Sequence, residues 1–207
     1  MSRAGASTPA AGVPTPSAGE ANSRPQSNDL GLELYRQRTL LQIMTARLRE
    51  TAGGVDRGTA VDLARVRRAL DVHHRFLLEV HHSDAERVAR AIAKSGGSSA
   101  GELLRDLEQA KQRAEQFEEA AAALIAKGVP GRSDPAHRLS QLFQAEAERI
   151  DQFQLWEADH LHAHLDAWIP RPTQARLLGQ LRKFDSARVD AEIALISWAS
   201  QIHPSAD

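Results

Sequence analysis

Apolar positions recur between residues 30 and 200 at alternating spacings of three and four, and almost no stretch alternates strictly between apolar and polar. That is the period of helices burying one stripe each, and it predicts an all-α chain. The first helix is predicted from a cap at Asn28 or Asp29 to about Ala52, with Leu34, Leu41, Met44 and Leu48 on its stripe and Gly53 and Gly54 ending it. Thr59 and Asp62 form a variant capping box for a second helix reaching about Ser95, before Gly96 and Gly97. Ser99 and Glu102 open a third, whose seam runs Leu103, Leu107, Ala110, Ala114, Phe117, Ala121 and Leu124 until Gly128 and Pro130. Ser133, Asp134 and Pro135 introduce a fourth that extends to Trp168, where Pro170 and Pro172 stop it. A shorter pair comes next over about 174–183 and 187–201, with Leu177, Leu178, Leu181, Val189, Ile193, Ile196 and Trp198 to bury. Four long helices with short connections predict an up-down-up-down four-helix bundle over 29–170 with a C-terminal helical appendage, one domain spanning 29–203. Residues 1–28, rich in Pro, Ala, Ser and Gly, are expected to be a disordered tail.

Composition narrows the chemistry. The chain has 26 Lys plus Arg against 27 Asp plus Glu, a net charge of -1, so no overall field favours nucleic acid or anionic lipid. It has no cysteine, which excludes disulfides, thiolate metal sites and cysteine nucleophiles. No run approaches a membrane span and the N-terminus lacks the apolar core of a secretory signal, so a cytoplasmic protein is expected, with no membrane partner. No Gly-x-Ser-x-Gly elbow and no P-loop occurs, which leaves hydrolase and nucleotide chemistry without support.

Histidine is the unusual feature: nine residues, seven of them in two clusters, 73, 74, 81 and 82 on the second helix and 160, 162 and 164 on the fourth. On an ideal wheel His74 and His81 fall near the centre of the second helix's apolar stripe with Leu63, Leu70, Leu77, Leu78, Val88 and Ile92. His82 lies at its edge, and Glu86 farther toward solvent. The same construction places Leu142, Phe153, Trp156, Glu157, His160, His164 and Ala167 on one face of the fourth helix, and turns His73, His82 and His162 outward. Glu157, His160 and His164 stack on consecutive turns and can converge on one cation. His81, with His74, faces them at comparable height from a helix running the same way. Imidazole and carboxylate suit iron, manganese or zinc, and the absence of thiolate favours non-haem iron, one or two ions, so the candidate metal residues are His74, His81, Glu157, His160 and His164.

The stretch FLLEVHHSDAERVARAI (76–92), a double His followed by acidic residues and an apolar run, and the stretch HLHAHLDAWIP (160–170) resemble the second- and fourth-helix patterns of the hemerythrin-like (HHE) family. The resemblance implies a four-helix bundle with a non-haem iron site that serves sensing or storage of a diatomic ligand such as oxygen or nitric oxide, or redox sensing, rather than turnover. The ligand set departs from the family's: Gln37 stands where the first helix usually carries a His, Ala110 and Ala114 occupy the third-helix seam, and Ala85 lies four residues after His81. Glu33, Glu118 and Glu146 are the carboxylates able to compensate. Three alternatives accompany this reading. Glu79/His82 and Glu157/His160 each form the ExxH of ferritin-like di-metal bundles. The HLHAHL segment is similar to DinB-like metal-dependent thiol transferases. A bundle without metal would act as an interaction module with a proton-sensitive core.

Overall fold

The computed structural model describes residues 29–57, 60–96, 100–163, 165–183 and 186–201. The expected tail 1–28, the caps at Thr59 and Ser99, and His164 lie outside the described residues. Among the described residues every regular element is helical and no strand occurs. They are α1 (Asp29–Arg57), α2 (63–94), α3 (Ala100–Ala126), α4 (134–162), α5 (Leu165–Trp168), α6 (Arg171–Leu181) and α7 (Ser186–Ser200). None of them is long and apolar enough to cross a membrane.

The termini follow local chemistry. Asp62 caps α2 by accepting the Arg65 backbone N–H at 3.0 Å, and Ser133 caps α4 by accepting that of Ala136 at 3.3 Å. Gly96 (φ 92°) and Gly128 (φ 81°) take the left-handed conformation just past α2 and α3, as helix-ending glycines do. Gly53 and Gly54 do not end α1, contrary to the sequence expectation. The helix runs through both because Val55 beyond them is buried in the core, at 3% exposure. The fourth helix is interrupted after His162 instead of continuing to Trp168.

Helix α1 packs chiefly on α4, α4 on α3, α3 on α2, and α2 on α1. The C-terminal pair is not peripheral. Ala191, Leu195 and Trp198 of α7 join the main core, with α7 against α1 and α2, while Leu177 and Leu181 of α6 join a second apolar cluster. Ile193 and Ile196, expected to be buried, are exposed: they lie on the face of α7 opposite Leu195.

Two segments depart from α geometry. His73–His81 within α2 and Ala158–His162 at the end of α4 are π-helical, with wider turns closed by i→i+5 hydrogen bonds. Four residues advance an α-helix by roughly 400°, so each fourfold step drifts the face by about 40° and five of them by about 200°. Ala69, His73, Leu77, His81, Ala85 and Ala89 are nevertheless all buried, because the π segment absorbs the drift. The same happens at Glu157, Leu161, Leu165 and Ile169.

The two apolar clusters are separated by a polar level. Leu40 to Val55, Val66 to Val80, Ala114 to Ala121 and Ala136 to Ile150 belong to one; Leu30 and Leu34, Ala85 to Ile92, Leu103 and Leu107, and Leu161 to Ile169 belong to the other. Between them, reading along each helix, come Gln37 on α1, His81, His82 and Asp84 on α2, and Gln154 and Glu157 on α4, all buried. On α3 that level holds Ala110 and Lys111.

Candidate functional site: a buried histidine–carboxylate level

The π segment decides which histidines enter the core. His73, predicted outward, is completely buried; His82, predicted at the boundary, is 6% exposed; His81 is buried as predicted. His74, predicted at the stripe's centre, instead has a half-exposed side chain, with Nδ1 3.0 Å from Glu118 and Nε2 3.5 Å from Glu79. On α4 the second π segment gives the inward position to Leu161, and His160 is turned out to solvent. There its ring stacks on Trp156 at 5.3 Å and donates from Nδ1 to the Trp156 carbonyl at 2.9 Å. Glu157 is buried, as predicted. Of the five candidate metal residues, the fold brings together two, His81 and Glu157. His74 and His160 are displaced by the extra turn width, and His164 lies outside the described residues.

At the polar level, His81 donates from Nε2 to Glu157 at 3.1 Å, tying α2 to α4. Burial disfavours a charge on this imidazole, but the Glu157 carboxylate and, farther off, Asp84 outweigh it and raise the pKa. Asp84, 1% exposed, accepts from Gln37 Nε2 at 2.7 Å and Arg87 at 2.8 Å, and pairs with Arg188 of α7. Four side chains of this level still carry buried polar atoms without a hydrogen-bond partner: Gln37 Oε1, His81 Nδ1, His82 Nδ1 and Gln154 Nε2. His82 has no carboxylate in contact; burial, reinforced by the nearby His81 and His73, pushes its pKa down to about 3, so it is a neutral imidazole. It packs on Phe153 at 5.0 Å.

One layer into the main core, His73 bridges two helices. Nδ1 lies 2.7 Å from Glu118 of α3 and Nε2 2.9 Å from Glu146 of α4. With both carboxylates ionised, both nitrogens must donate, and that arrangement is the imidazolium. Desolvation opposes that charge, yet the two carboxylates prevail and the pKa is raised. Arg149 pairs with Glu146 in turn. Two of the three compensating carboxylates therefore hold a histidine. The third, Glu33, accepts from Arg36 at 2.7 Å and faces Arg182 at 3.7 Å.

The donor set among the described residues is incomplete for the implied iron. Among the described residues no group of three or more His, Asp or Glu side chains converges to hold a metal ion. Both nitrogens of His73 are occupied by carboxylates, and His81 with Glu157 amounts to two donors where such sites use three or more. What the arrangement does chemically is hold two histidine–carboxylate contacts and one neutral imidazole inside a helical core. Sequence reasoning missed His73, His82 and Asp84; the run of fourfold spacings from Ala69 to Ala89, which an ideal wheel disperses, finds His73, while His82 and Asp84 lie beside that run and carry no comparable signal. Comparison with family models, with curated protein sequences and with solved structures finds no match to this chain.

Proposed function

We propose that the chain is a hemerythrin-like up-down-up-down four-helix bundle with a C-terminal helical appendage, in which histidine–carboxylate contacts stand in place of a full metal-ligand set. On this reading it is a cytoplasmic, non-enzymatic binding module whose core responds to protons. The observation that carries it is His73, buried and held between Glu118 and Glu146 with no ring nitrogen left for a metal. The test is reconstitution of untagged protein with ferrous iron and with zinc, followed by desalting and elemental analysis. The proposal expects less than one tenth of an equivalent, as an order of magnitude, to be retained through the core. Stoichiometric metal that is lost on His81→Ala would overturn it.

One observation favours a second reading, a reduced iron site for a diatomic ligand. Two donors about 2.1 Å from one octahedral ion lie roughly 3.0 Å apart, close to the 3.1 Å between His81 Nε2 and Glu157 Oε2, and Gln37 Oε1 at the same level lacks a partner. Iron retained by the parent protein and lost in both His81→Ala and Glu157→Ala would favour it.

A further inference from the structure

A cavity of about 280 Å³ opens between α3 and α4 and reaches in to α2. Its space exists because α3 presents Ala110 and Ala114 where a bundle seam would normally carry large side chains. The far walls are Leu77 of α2 and Ile150, Phe153 and Trp156 of α4, the last two rings stacked at 5.6 Å and 11°. His82 lines the same cavity, its Nδ1 shut off from solvent without a hydrogen-bond partner, and among the described residues no carboxylate touches the ring. The charged lining is balanced, Arg113 and Arg149 against Asp106 and Glu146.

From these features we infer that the cavity is a binding site for a small neutral aromatic molecule bearing a hydroxyl, a phenol-class ligand, with its ring along Phe153 and Trp156 and its hydroxyl on His82. Three physical points select that class. A cavity of about 150 Å³ accommodates a single unsubstituted ring, so this one takes a ring with one or two substituents. Paired charges of opposite sign give no net pull on an anion or a cation. An imidazole this buried and without an acid partner is neutral and gains from a ligand group that both donates and accepts, which a hydroxyl does and a hydrocarbon does not. The inference does not rest on the proposed function: His73 and His81 do not line the cavity, and of the residues that hold them only Glu146 does.

The experiment is titration of the full chain with 4-ethylphenol, ethylbenzene and 4-ethylbenzoate, read from the Trp156 indole N–H in a proton–nitrogen correlation spectrum. The expected result is saturable binding of 4-ethylphenol below about 1 mM, with ethylbenzene and 4-ethylbenzoate each weaker by about tenfold or more. His82→Leu is expected to remove the preference for the phenol over ethylbenzene, and Ala110→Leu, which narrows the cavity without touching His82, to weaken both. Should His82→Leu not fold, the Ala110→Leu arm and the ligand series decide alone. Absence of saturation, equal binding of the hydrocarbon, tighter binding of the carboxylate, or a full response in Ala110→Leu would each overturn the inference.

Discussion

Replacing His81 by Leu strands the Glu157 carboxylate, 4% exposed, opposite an apolar side chain. Its least costly relief is to take up a proton. From an ordinary glutamate pKa of about 4.3, that costs about 3.7 kcal/mol at pH 7 and about 1 kcal/mol at pH 5. Replacing Glu157 by Leu strands the imidazole instead, which at pH 7 is neutral without appreciable cost, so the loss is that of one charge-assisted hydrogen bond, about 1.5–3 kcal/mol. At pH 5 the unfolded histidine is protonated, and burying it neutral adds about 2 kcal/mol to that loss. The two single variants should therefore exchange rank: His81→Leu is the less stable at pH 7 and Glu157→Leu at pH 5. The double variant, an apolar pair of similar volume, should lie near the parent at pH 7. Urea unfolding followed by circular dichroism reads this directly, a loss of about 3.7 kcal/mol moving the midpoint by about 1–2 M. Additive effects in the double variant, or the same rank at both pH values, would refute the contact between His81 and Glu157.

Stability of the parent should fall as pH rises from about 6.5 through the raised pKa values of His73 and His81, because there the folded state holds protons the unfolded state has released; urea midpoints at pH 6.5 and pH 9 check it, and His73→Phe/His81→Phe should flatten the slope. Asp84→Ala removes the acceptor of Gln37 and one of the two carboxylates paired with Arg188, which keeps Glu192 at 3.3 Å, and should cost about 1–3 kcal/mol, with earlier proteolytic cleavage of α7 as a second readout. Deleting Glu79, an exposed residue in the π segment, should preserve cooperative thermal unfolding because it returns the segment toward α geometry. Deleting Arg67, outside that segment, should abolish it by turning the remainder of α2 roughly 100° relative to the core.

Helix positions were legible because their signals are local. Ser133 with Pro135, Asp62, Gly96 and Gly128 act on the backbone within a few residues, and the structure uses each of them. Where a local signal conflicts with burial, burial wins: Val55 draws α1 through two glycines. The site was legible only in part because its register depends on the π segment. FLLEV carries no proline or glycine to announce it, and its trace, buried residues every fourth position, includes His73, Ala85 and Ala89, which a hydrophobic wheel hardly weighs. A shift of about one residue is enough to exchange His74 for His73 and His160 for Leu161. Glu157 remained correctly placed because it precedes its π segment, and His81, which closes its own, is buried within the fourfold run Leu77, His81 and Ala85.

The central claim, that carboxylates rather than a metal hold the core histidines, is tested most directly by nitrogen NMR of the imidazole rings as the protein is purified. At pH 7 the account predicts His73 protonated at both ring nitrogens, and at pH 5 it predicts His82 still neutral, in keeping with its pKa of about 3. A neutral His73 at pH 7, a protonated His82 at pH 5, or paramagnetic loss of the His81 and His73 signals would contradict it.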